Sequence, residues 1–332
     1  MFTPTFNLLT TLLLAARSSN LQFHDWCSSV GITTPLARLE TTTRSVAGRG
    51  VFATEDIQAG DVVITIPEDV VLHEFNAATS FQSLAKKLWS KAKVFGKGQG
   101  QRRWWHRFTK RRRLEENFEF TDSSDLWQAT LTSFCLACLE DEDHPWAHWI
   151  SQWQRNDPMQ ALFEKGATWR DESEVLECVN QLAKLLPDVS PVKLRAAVEM
   201  RLGRLEELRT IFDLKDEKKD FYRMFGVLTS RAIELGDGVF GVLPMFDMLN
   251  HSDDPNLALS FDGKHFSLWG VRDIAKGEEF FVCYKDKESQ SLEWDEDDAV
   301  WMLVQWGIPT PKSVENNGAR LQENETRTPV LA

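Results

Sequence analysis

The sequence is poor in cysteine and contains no long apolar run. Five cysteines in 332 residues are few and odd in number, which fits a reducing compartment better than a disulfide framework. The apolar stretch from Phe6 to Ala16 is too short to cross a bilayer, and no basic residue precedes it. We interpret it either as a cleaved targeting segment or as an amphipathic helix. These absences argue against a disulfide-stapled secreted domain and against membrane association.

Metal-ligand patterns are also scarce. Cys135-Leu-Ala-Cys138 is a single C-x-x-C motif without a second pair, and it lies in an apolar helical run, so it predicts the core of a helix. A site built from His251, Asp253 and Asp254 would lack a second histidine at ligand spacing. We therefore expect no metal ion.

Positive charge is concentrated in one segment. The formal net charge is −12, although eight basic and no acidic residues lie between Lys97 and Arg113. The acidic remainder favours cationic partners such as lysine-rich protein segments and disfavours nucleic acid, except at this insert. The insert, which includes Trp104 and Trp105, is either a solvated loop or a patch for nuclear localisation or polyanion binding. A cytoplasmic, nuclear or plastid location remains open.

The apolar pattern changes twice along the chain. Short β-rich runs punctuated by glycine and proline fill residues 37–72 and return from Gly238 onward, with Asp262-Gly263 as a hairpin turn. Between them, apolar residues recur at three- and four-residue intervals. This spacing predicts helices at Asp125–Leu139, Glu172–Leu186, Pro191–Ile211 and Lys219–Leu235. The pattern predicts an α+β fold in which a helical block divides a β-rich region.

A glycine pattern near the second β-rich region has the form of a dinucleotide-binding loop. Residues Gly236 to Gly241 match G-x-G-x-x-G, a fingerprint that requires a strand before it and a helix after it. Here a helical run precedes the match and Pro244 follows it. We therefore interpret the match as chance. An oxidoreductase function would rest on this match alone.

The segment from Pro244 to Ser252 carries the most chemical information. It places the polar residues Asp247, Asn250 and His251 among apolar neighbours, and polar groups that become buried must find hydrogen-bond partners. Spacing alone supports either a polar turn that ties down the end of a strand or a ligand site.

Four segments of the chain occur in the order found in the SET domain of methyltransferases. They are Ala47–Ala53, Thr229–Arg231, Leu243–Ser252 and Gly277–Tyr284. The chain resembles the Rubisco large-subunit lysine methyltransferase-like class, in which a long helical insert splits the SET core. Residues Pro145–Ile150 and Thr168–Ser173 resemble parts of that insert. The resemblance covers roughly residues 20 to 310.

The resemblance implies a domain organisation. It predicts an α+β SET-domain β core with a pseudoknot, interrupted by a mostly helical insert, and without a C-terminal substrate-binding domain. The expected parts are residues 1–19 as a targeting or disordered segment, 20–73 as the first part of the core, 74–235 as the insert with its basic loop 96–113, 236–310 as the second part of the core, and 311–332 as a disordered tail.

The resemblance also implies an activity. It predicts transfer of a methyl group from S-adenosyl-L-methionine to a lysine nitrogen of a protein substrate, by a chain that we expect to be a monomer. Lys285 stands where family members usually carry glycine or another small or polar residue after the tyrosine, and Trp306 stands where many relatives carry a tyrosine. Two alternatives therefore stay open, a protein-histidine methyltransferase and a catalytically inactive SET-fold interaction module.

Roles for individual residues follow from the same resemblance. Tyr284 matches the active-site tyrosine, whose hydroxyl would accept C–H···O contacts from the methyl group and align it with the incoming nitrogen. The implied cofactor-binding residues are Gly48, Arg49, Gly50, Arg231, Asn250, His251 and Trp306. The implied substrate-binding residues are Arg231, Asp247 and Tyr284. For Arg231 and Asp247, a structural ion pair is the competing interpretation.

Overall fold

The structure is a computed structural model, and it describes most of the chain. The described residues are 22–41, 49–73, 77, 126–141, 143–153, 157–211, 218–236, 239–284 and 296–309. Gly48, the stretch from Phe6 to Ala16, the basic insert and the tail after residue 310 lie outside the described residues, and so do the predictions made for them.

Contacts divide the chain into two compact units. The first unit comprises Met1–Leu88, Ala137–Trp153 and Arg231–Leu292. The second comprises Trp89–Leu136, Gln154–Ser230 and Glu293–Ala332.

Strands form the framework of the first unit. They are β1 (Ala37–Thr41), β2 (Arg49–Ala53), β3 (Val62–Pro67), β4 (Leu72–His73), β5 (Ile233–Gly236), β6 (Val239–Val242), β7 (Asn250–His251), β8 (Leu257–Phe261), β9 (His265–Gly270) and β10 (Phe281–Val282).

These strands pair into small sheets that join the two β-rich parts of the sequence. The antiparallel sheets have the orders β1-β2, β3-β9-β8 and β4-β6-β5, and β10 pairs in parallel with β7. Since β3 pairs with β9 and β4 with β6, strands from both sides of the helical block complete common sheets. This arrangement confirms the predicted α+β fold.

The β8–β9 hairpin turns where the sequence predicts it. Gly263 adopts a φ of 93°, a backbone conformation that favours glycine. The carboxylate of Asp262 accepts hydrogen bonds from the backbone N–H groups of Lys264 and His265, each at 2.8 Å. Local side-chain chemistry therefore fixes this turn.

The last part of the β core lies against strand β2 and the residues that follow it. Ile274 bridges to Ile57 and Glu279 bridges to Phe52, and the Phe280 N–H donates to the Val51 carbonyl at 2.8 Å. The chain then continues into β10 beside β7. This path brings the segment Gly277–Tyr284 against both β2 and the segment that contains Asn250.

Helices occupy the middle of the chain and its C-terminal part. They are α1 (Leu126–Leu139), α2 (Ala147–Ser151), α3 (Pro158–Lys165), α4 (Glu172–Leu185), α5 (Pro191–Ile211), α6 (Lys218–Thr229) and α7 (Glu296–Trp306). Among the described helices, none has both the length and the apolar character that crossing a bilayer requires. Cys135 and Cys138 are fully buried in α1, as predicted for helix core residues.

The second unit is held together by an apolar core between helices α3 to α7. Residues spaced along one face of each helix are buried in it, for example Leu182 of α4, Val198 of α5 and Phe221 of α6. Each side chain of this size contributes roughly 1.5–3 kcal/mol when it is removed from water. Burial of these helical faces explains why the three- and four-residue spacing predicted helices correctly.

The prediction of a helix from Lys219 to Leu235 is wrong in its last part. Helix α6 ends at Thr229, and Ile233–Gly236 forms strand β5 instead. The Thr229 hydroxyl donates to the Phe225 carbonyl at 2.7 Å at the last turn of the helix. The following residues pair with β6, so a tertiary contact overrides the local apolar period.

The G-x-G-x-x-G match lies in this β5–β6 pair. A strand stands on both sides of the turn, so the helix N-terminus that a dinucleotide loop requires is missing. Gly241 serves close strand packing, because a Cβ atom there would lie 2.7 Å from the Leu72 carbonyl oxygen. The structure confirms that the match is coincidental.

Candidate functional site

The segment from Leu243 to His251 forms the centre of the candidate site. Its apolar side chains are buried, a short 3-10 helix covers Phe246–Met248, and Asn250–His251 continues as β7. Because these neighbours withdraw from water, Asp247 is carried into the interior with its side chain fully buried. The segment therefore places a carboxylate in an apolar setting.

Met245 introduces this segment with a strained backbone. It has a φ of 70° and a ψ of −43°, and it is the one non-glycine residue with positive φ among the described residues. A conformation of this kind costs about 1–3 kcal/mol and occurs preferentially at functional sites. Its fully buried side chain holds the strained turn in place.

Asp247 is surrounded by donors from distant parts of the chain. Arg231 Nη1 lies 3.5 Å from Asp247 Oδ2, and the same nitrogen donates to the backbone carbonyl of Asp247. Trp149 Nε1 donates to Asp247 Oδ2 at 3.2 Å. Arg49 also faces the carboxylate, while its Nη1 donates to the Gln152 carbonyl at 2.8 Å.

Burial and charge oppose each other at this carboxylate. Burial raises the pKa of Asp247 to about 6, against the lowering effects of Arg231, Arg49 and the indole donors. The pKa of Arg49 falls to about 10, chiefly through burial and secondly through the nearby Arg231 guanidinium. The pair Arg231–Asp247 is therefore an ion pair whose acid can take up a proton in mildly acidic solution.

Tyr284 lies beside the same segment. Its hydroxyl donates a hydrogen bond to the Leu249 carbonyl. Burial is the main cause that raises the pKa of Tyr284 to about 12; Arg231 lowers it and Asp247 raises it further. The phenol is therefore uncharged near neutral pH, and its oxygen acts as an acceptor toward any third group.

His251 contacts both the backbone and the ring of Tyr284. Its Nδ1 accepts a hydrogen bond from the Tyr284 backbone N–H at 3.1 Å, and the two rings lie 5.3 Å apart. Its Nε2 lies 3.6 Å from Asp253 Oδ1, and its side chain is almost fully buried. The imidazole therefore fixes the backbone that carries Tyr284.

Asn250 joins the start of strand β2 to the last part of the core. Its Nδ2 donates to the Arg49 carbonyl at 2.8 Å and to Glu279 Oε1 at 2.6 Å. Gly50 is needed for this junction, because a Cβ atom there would lie 2.1 Å from Glu279 Oε1 and 3.3 Å from Asn250 Nδ2. Asn250 thus positions the backbone at Arg49 and Gly50.

A second asparagine, Asn256, locks the adjoining strand. It is fully buried, accepts from the Phe281 N–H at 2.7 Å and donates to the Glu279 carbonyl at 2.8 Å. These two bonds fix the backbone on both sides of Phe280, directly before strand β10. Because β10 is followed by Tyr284, they also help to fix the backbone that carries the tyrosine.

The structure brings most of the predicted site residues into one neighbourhood. The first unit contains Arg49, Gly50, Arg231, Asp247, Asn250, His251 and Tyr284. Trp306 belongs to the second unit, where it ends α7 half-buried and lies edge-on to Trp301 at 6.4 Å. The cofactor role expected for Trp306 stays a prediction.

Two contributors were not identified from the sequence, Trp149 and Glu279. Trp149 is part of the Pro145–Ile150 motif, yet its bond to Asp247 spans 98 residues of sequence. Glu279 lies inside the Gly277–Tyr284 motif, but nothing local indicates that it lies against Gly50. The sequence showed only that both residues lie in recognisable motifs, which did not specify a role for either of them.

A metal centre receives no support from the described part of the chain. No cluster of three or more histidine, cysteine, aspartate or glutamate side chains suited to a metal ion occurs there. His251 and Asp253 are close, as noted, but the imidazole Nδ1 is engaged by the Tyr284 N–H.

Comparisons with known proteins agree with this arrangement. The family model of the SET domain matches residues 48–285. Histone-lysine N-methyltransferase SMYD3 of Homo sapiens is 38% identical over 81 residues, 24% of this chain and 18% of that protein. N-lysine methyltransferase setd6 of Danio rerio is 24% identical over 279 residues, 78% of this chain and 52% of that protein.

Solved structures show the same fold. The structure of Rubisco LSMT bound to sinefungin and monomethyllysine superposes with a TM-score of 0.53 at 19% identity, covering 88% of this chain and 56% of that chain. The structure of Rubisco LSMT bound to AdoMet gives the same TM-score and identity, with 57% of that chain covered. The chain thus spans about half the length of these proteins, and less of SMYD3. With the SET model matched over most of its length, this chain belongs to the SET domain family.

Proposed function

We propose that the chain is an S-adenosyl-L-methionine-dependent protein-lysine N-methyltransferase. The observation that carries the proposal is the hydrogen bond from the Tyr284 hydroxyl to the Leu249 carbonyl beside the buried Arg231–Asp247 pair. Because the phenolic hydrogen is committed to that carbonyl, the oxygen presents its lone pairs to a third group. A neutral, oriented acceptor is what alignment of a polarised methyl group requires.

The residues present fit this cofactor by their chemistry. Arg231 offers a planar set of donors suited to a carboxylate. The phenolic oxygen of Tyr284 and the backbone oxygens of this segment are acceptors suited to polarised C–H groups. Gly50 leaves the β2 backbone without a side chain next to Asn250. When bound, the cofactor supplies an electrophilic methyl group on a positively charged sulfur.

The chain's own residues would prepare the nucleophile. A lysine amine has an ordinary pKa of about 10.4 and must lose its proton before it can attack. Arg49 and Arg231 disfavour a third cation, and the buried apolar residues around Asp247 disfavour any unpaired charge. Both effects favour the neutral amine beside Tyr284.

The remaining roles belong to the same proposal. Seven residues would hold the cofactor: Gly48, Arg49, Gly50, Arg231, Asn250, His251 and Trp306. Arg231, Asp247 and Tyr284 would line the entry of the substrate side chain. The names of the relatives support lysine over histidine as the target. The domain bounds predicted from the sequence, a protein partner and a monomeric state complete the proposal.

The experiment that tests this function has two stages on one purified sample. Calorimetric titration with S-adenosyl-L-methionine measures binding, and incubation with methyl-labelled cofactor and a protein extract measures transfer. The labelled protein is then hydrolysed in acid, and chromatography of the amino acids separates methyl-lysine from methyl-histidine. Binding with label in methyl-lysine is the expected result.

Each other outcome has a distinct meaning. Label in methyl-histidine would change the target residue while leaving the reaction type intact. Binding without transfer to any protein in the extract would favour an inactive interaction module. Absence of binding would reject the proposed function.

A further inference from the structure

Asp247 is held by an aromatic cluster that the proposed chemistry has not used. We define the indole cluster as Trp26, Trp149 and Trp153. Trp149 stacks on Trp26 with ring centroids 5.7 Å apart and an interplanar angle of 18°, and it meets Trp153 edge-on at 5.2 Å. Trp26 itself stacks on Phe23 at 5.7 Å. The Trp149 ring is thus confined on two sides.

This confinement directs one polar atom. Trp149 is fully buried, and its Nε1 donates to Asp247 Oδ2 at 3.2 Å. An indole N–H is a donor only, so this bond cannot reverse as an amide side chain can. It adds no charge, and it binds Oδ2, the carboxylate oxygen that also faces Arg231.

We propose that Trp149 is a positioning residue, whose indole N–H fixes the carboxylate of Asp247 against Arg231 and thereby fixes the Arg231 guanidinium in the site. The orienting role is independent of the proposed function. Its expected consequence, tighter cofactor binding, rests on that function. Trp149 reaches the site through its hydrogen bond to Asp247. It acts through Asp247 alone.

The orientation depends on the protonation of Asp247. The charged and titratable groups that face this carboxylate are Arg231, Arg49, Tyr284 and Cys27. The two arginines favour the ionised acid, which an indole N–H also stabilises. Loss of the indole N–H therefore raises the pKa of Asp247 further, and the ion pair with Arg231 weakens at a higher pH than in the wild type.

The test compares two tryptophans of the same stack. Trp149→Phe keeps the ring and removes the N–H that reaches Asp247. Trp26→Phe is the matched control, because the Trp26 N–H donates to the Pro145 carbonyl and not to Asp247. The probe is S-adenosylhomocysteine, titrated calorimetrically at several pH values between 5 and 8, and the third variant is Asp247→Asn.

We expect Trp149→Phe to weaken binding of S-adenosylhomocysteine by roughly tenfold near pH 6.5. The acid limb of the affinity profile, where binding weakens as Asp247 takes up a proton, should move to higher pH by about one unit. Both changes are on the scale of one hydrogen bond to a charged group. Trp26→Phe should leave that limb in place. In the Asp247→Asn background the effect of Trp149→Phe should vanish. An unmoved limb, or full additivity with Asp247→Asn, would overturn the proposal.

A second measurement needs neither the cofactor nor a folded Trp149→Phe variant. In the wild type labelled with ¹⁵N at the indoles, one indole resonance should titrate with a midpoint near the Asp247 pKa of about 6. In Asp247→Asn that resonance should shift and lose its pH dependence. If no indole resonance responds to Asp247→Asn, the inference fails. Failure of S-adenosylhomocysteine to bind the wild type, with this response present, would reject the proposed function alone.

Discussion

The Tyr284 hydroxyl donates to the carbonyl of Leu249, the residue directly before Asn250 in the buried motif. The Tyr284 backbone N–H at the same time donates to His251 Nδ1, one residue after Asn250. Tyr284 is therefore fixed at both its backbone and its tip by residues on either side of one asparagine. Its position is set by the motif as a unit.

Replacement of Tyr284 by phenylalanine tests this relationship. We expect S-adenosyl-L-methionine binding to be retained, because the ring still packs on His251, and methyl transfer to fall roughly a hundredfold, the scale of losing alignment at a reacting centre. The measurements are calorimetry and single-turnover transfer of labelled methyl. Tyr222→Phe is the matched control, because that hydroxyl donates to Glu206 Oε2 at 2.7 Å inside the second unit. Equal rates for the two variants would remove Tyr284 from the mechanism.

Gly50→Ala should damage the junction between strand β2 and Glu279. The new methyl group would lie 2.1 Å from Glu279 Oε1 and 2.8 Å from its Cδ, so the Asn250–Glu279 bond must break or the β2 backbone must move. We expect the free energy of unfolding to fall by about 1–3 kcal/mol and S-adenosylhomocysteine binding to weaken. Urea denaturation and calorimetry measure both quantities.

Gly203→Ala is the control for that substitution. Gly203 lies within helix α5, and a Cβ atom there has its nearest contact, the Trp169 ring, at 3.8 Å. Alanine in a helix interior should be neutral or stabilise by up to about 1 kcal/mol. If Gly50→Ala and Gly203→Ala have the same effect on the free energy of unfolding and on binding, Glu279 does not support the β2 backbone at Gly50.

The pKa of Asp247 predicts the pH dependence of stability. Its pKa of about 6 in the folded chain exceeds the ordinary aspartate pKa of 3.8, so between these pH values the folded state holds a proton that the unfolded state has released. Stability must therefore decrease as pH rises through this window, by about 3 kcal/mol for this group. The loss is complete about one pH unit above the folded-state pKa, near pH 7.

Asp247→Asn removes this titration and gives the measurement. Between about pH 4 and pH 7, the wild type should lose stability relative to Asp247→Asn in paired urea denaturation curves, with the offset between the two proteins constant at higher pH. Parallel stability profiles over the whole range would contradict a raised pKa for Asp247.

Asn256→Ala should destabilise the core without touching the ligand chemistry. It leaves the Phe281 N–H and the Glu279 carbonyl without their present partner in a fully buried place, which should cost about 2–4 kcal/mol. The exposed Asn180 on helix α4 is the control, for which alanine should change stability by less than about 0.5 kcal/mol. Thermal and urea unfolding test the pair, and similar losses would show that Asn256 is not a structural lock.

The parts of the fold that the sequence predicted correctly depend on local chemistry. The turn at Asp262-Gly263 is specified by a carboxylate and a positive φ within four residues, and the helix spacing around Val198 reflects one buried face. The end of α6 was mispredicted because the residues after Thr229 pair with β6. A periodic apolar pattern cannot register such a partner.

The site divides in the same way. Tyr284, Asn250 and His251 could be identified because they belong to recognisable segments. The contributions of Trp149 and Glu279 could not, since each meets its partner only after the chain has folded. Arg231 and Asp247 were left between an ion pair and a ligand role, and they do form the ion pair. Their part in binding remains a prediction.

The bond between Asn250 and the Arg49 carbonyl spans 201 residues, and the contact of Phe280 with Val51 spans a longer interval still. Contacts of this separation carry a loop-closure cost, because a large loop must close before they are made. No fragment from either β-rich part alone can contain the site. A ligand of this site would therefore bind only when the two distant β-rich parts of the core are assembled. Its binding would stabilise that assembled state over partly folded states.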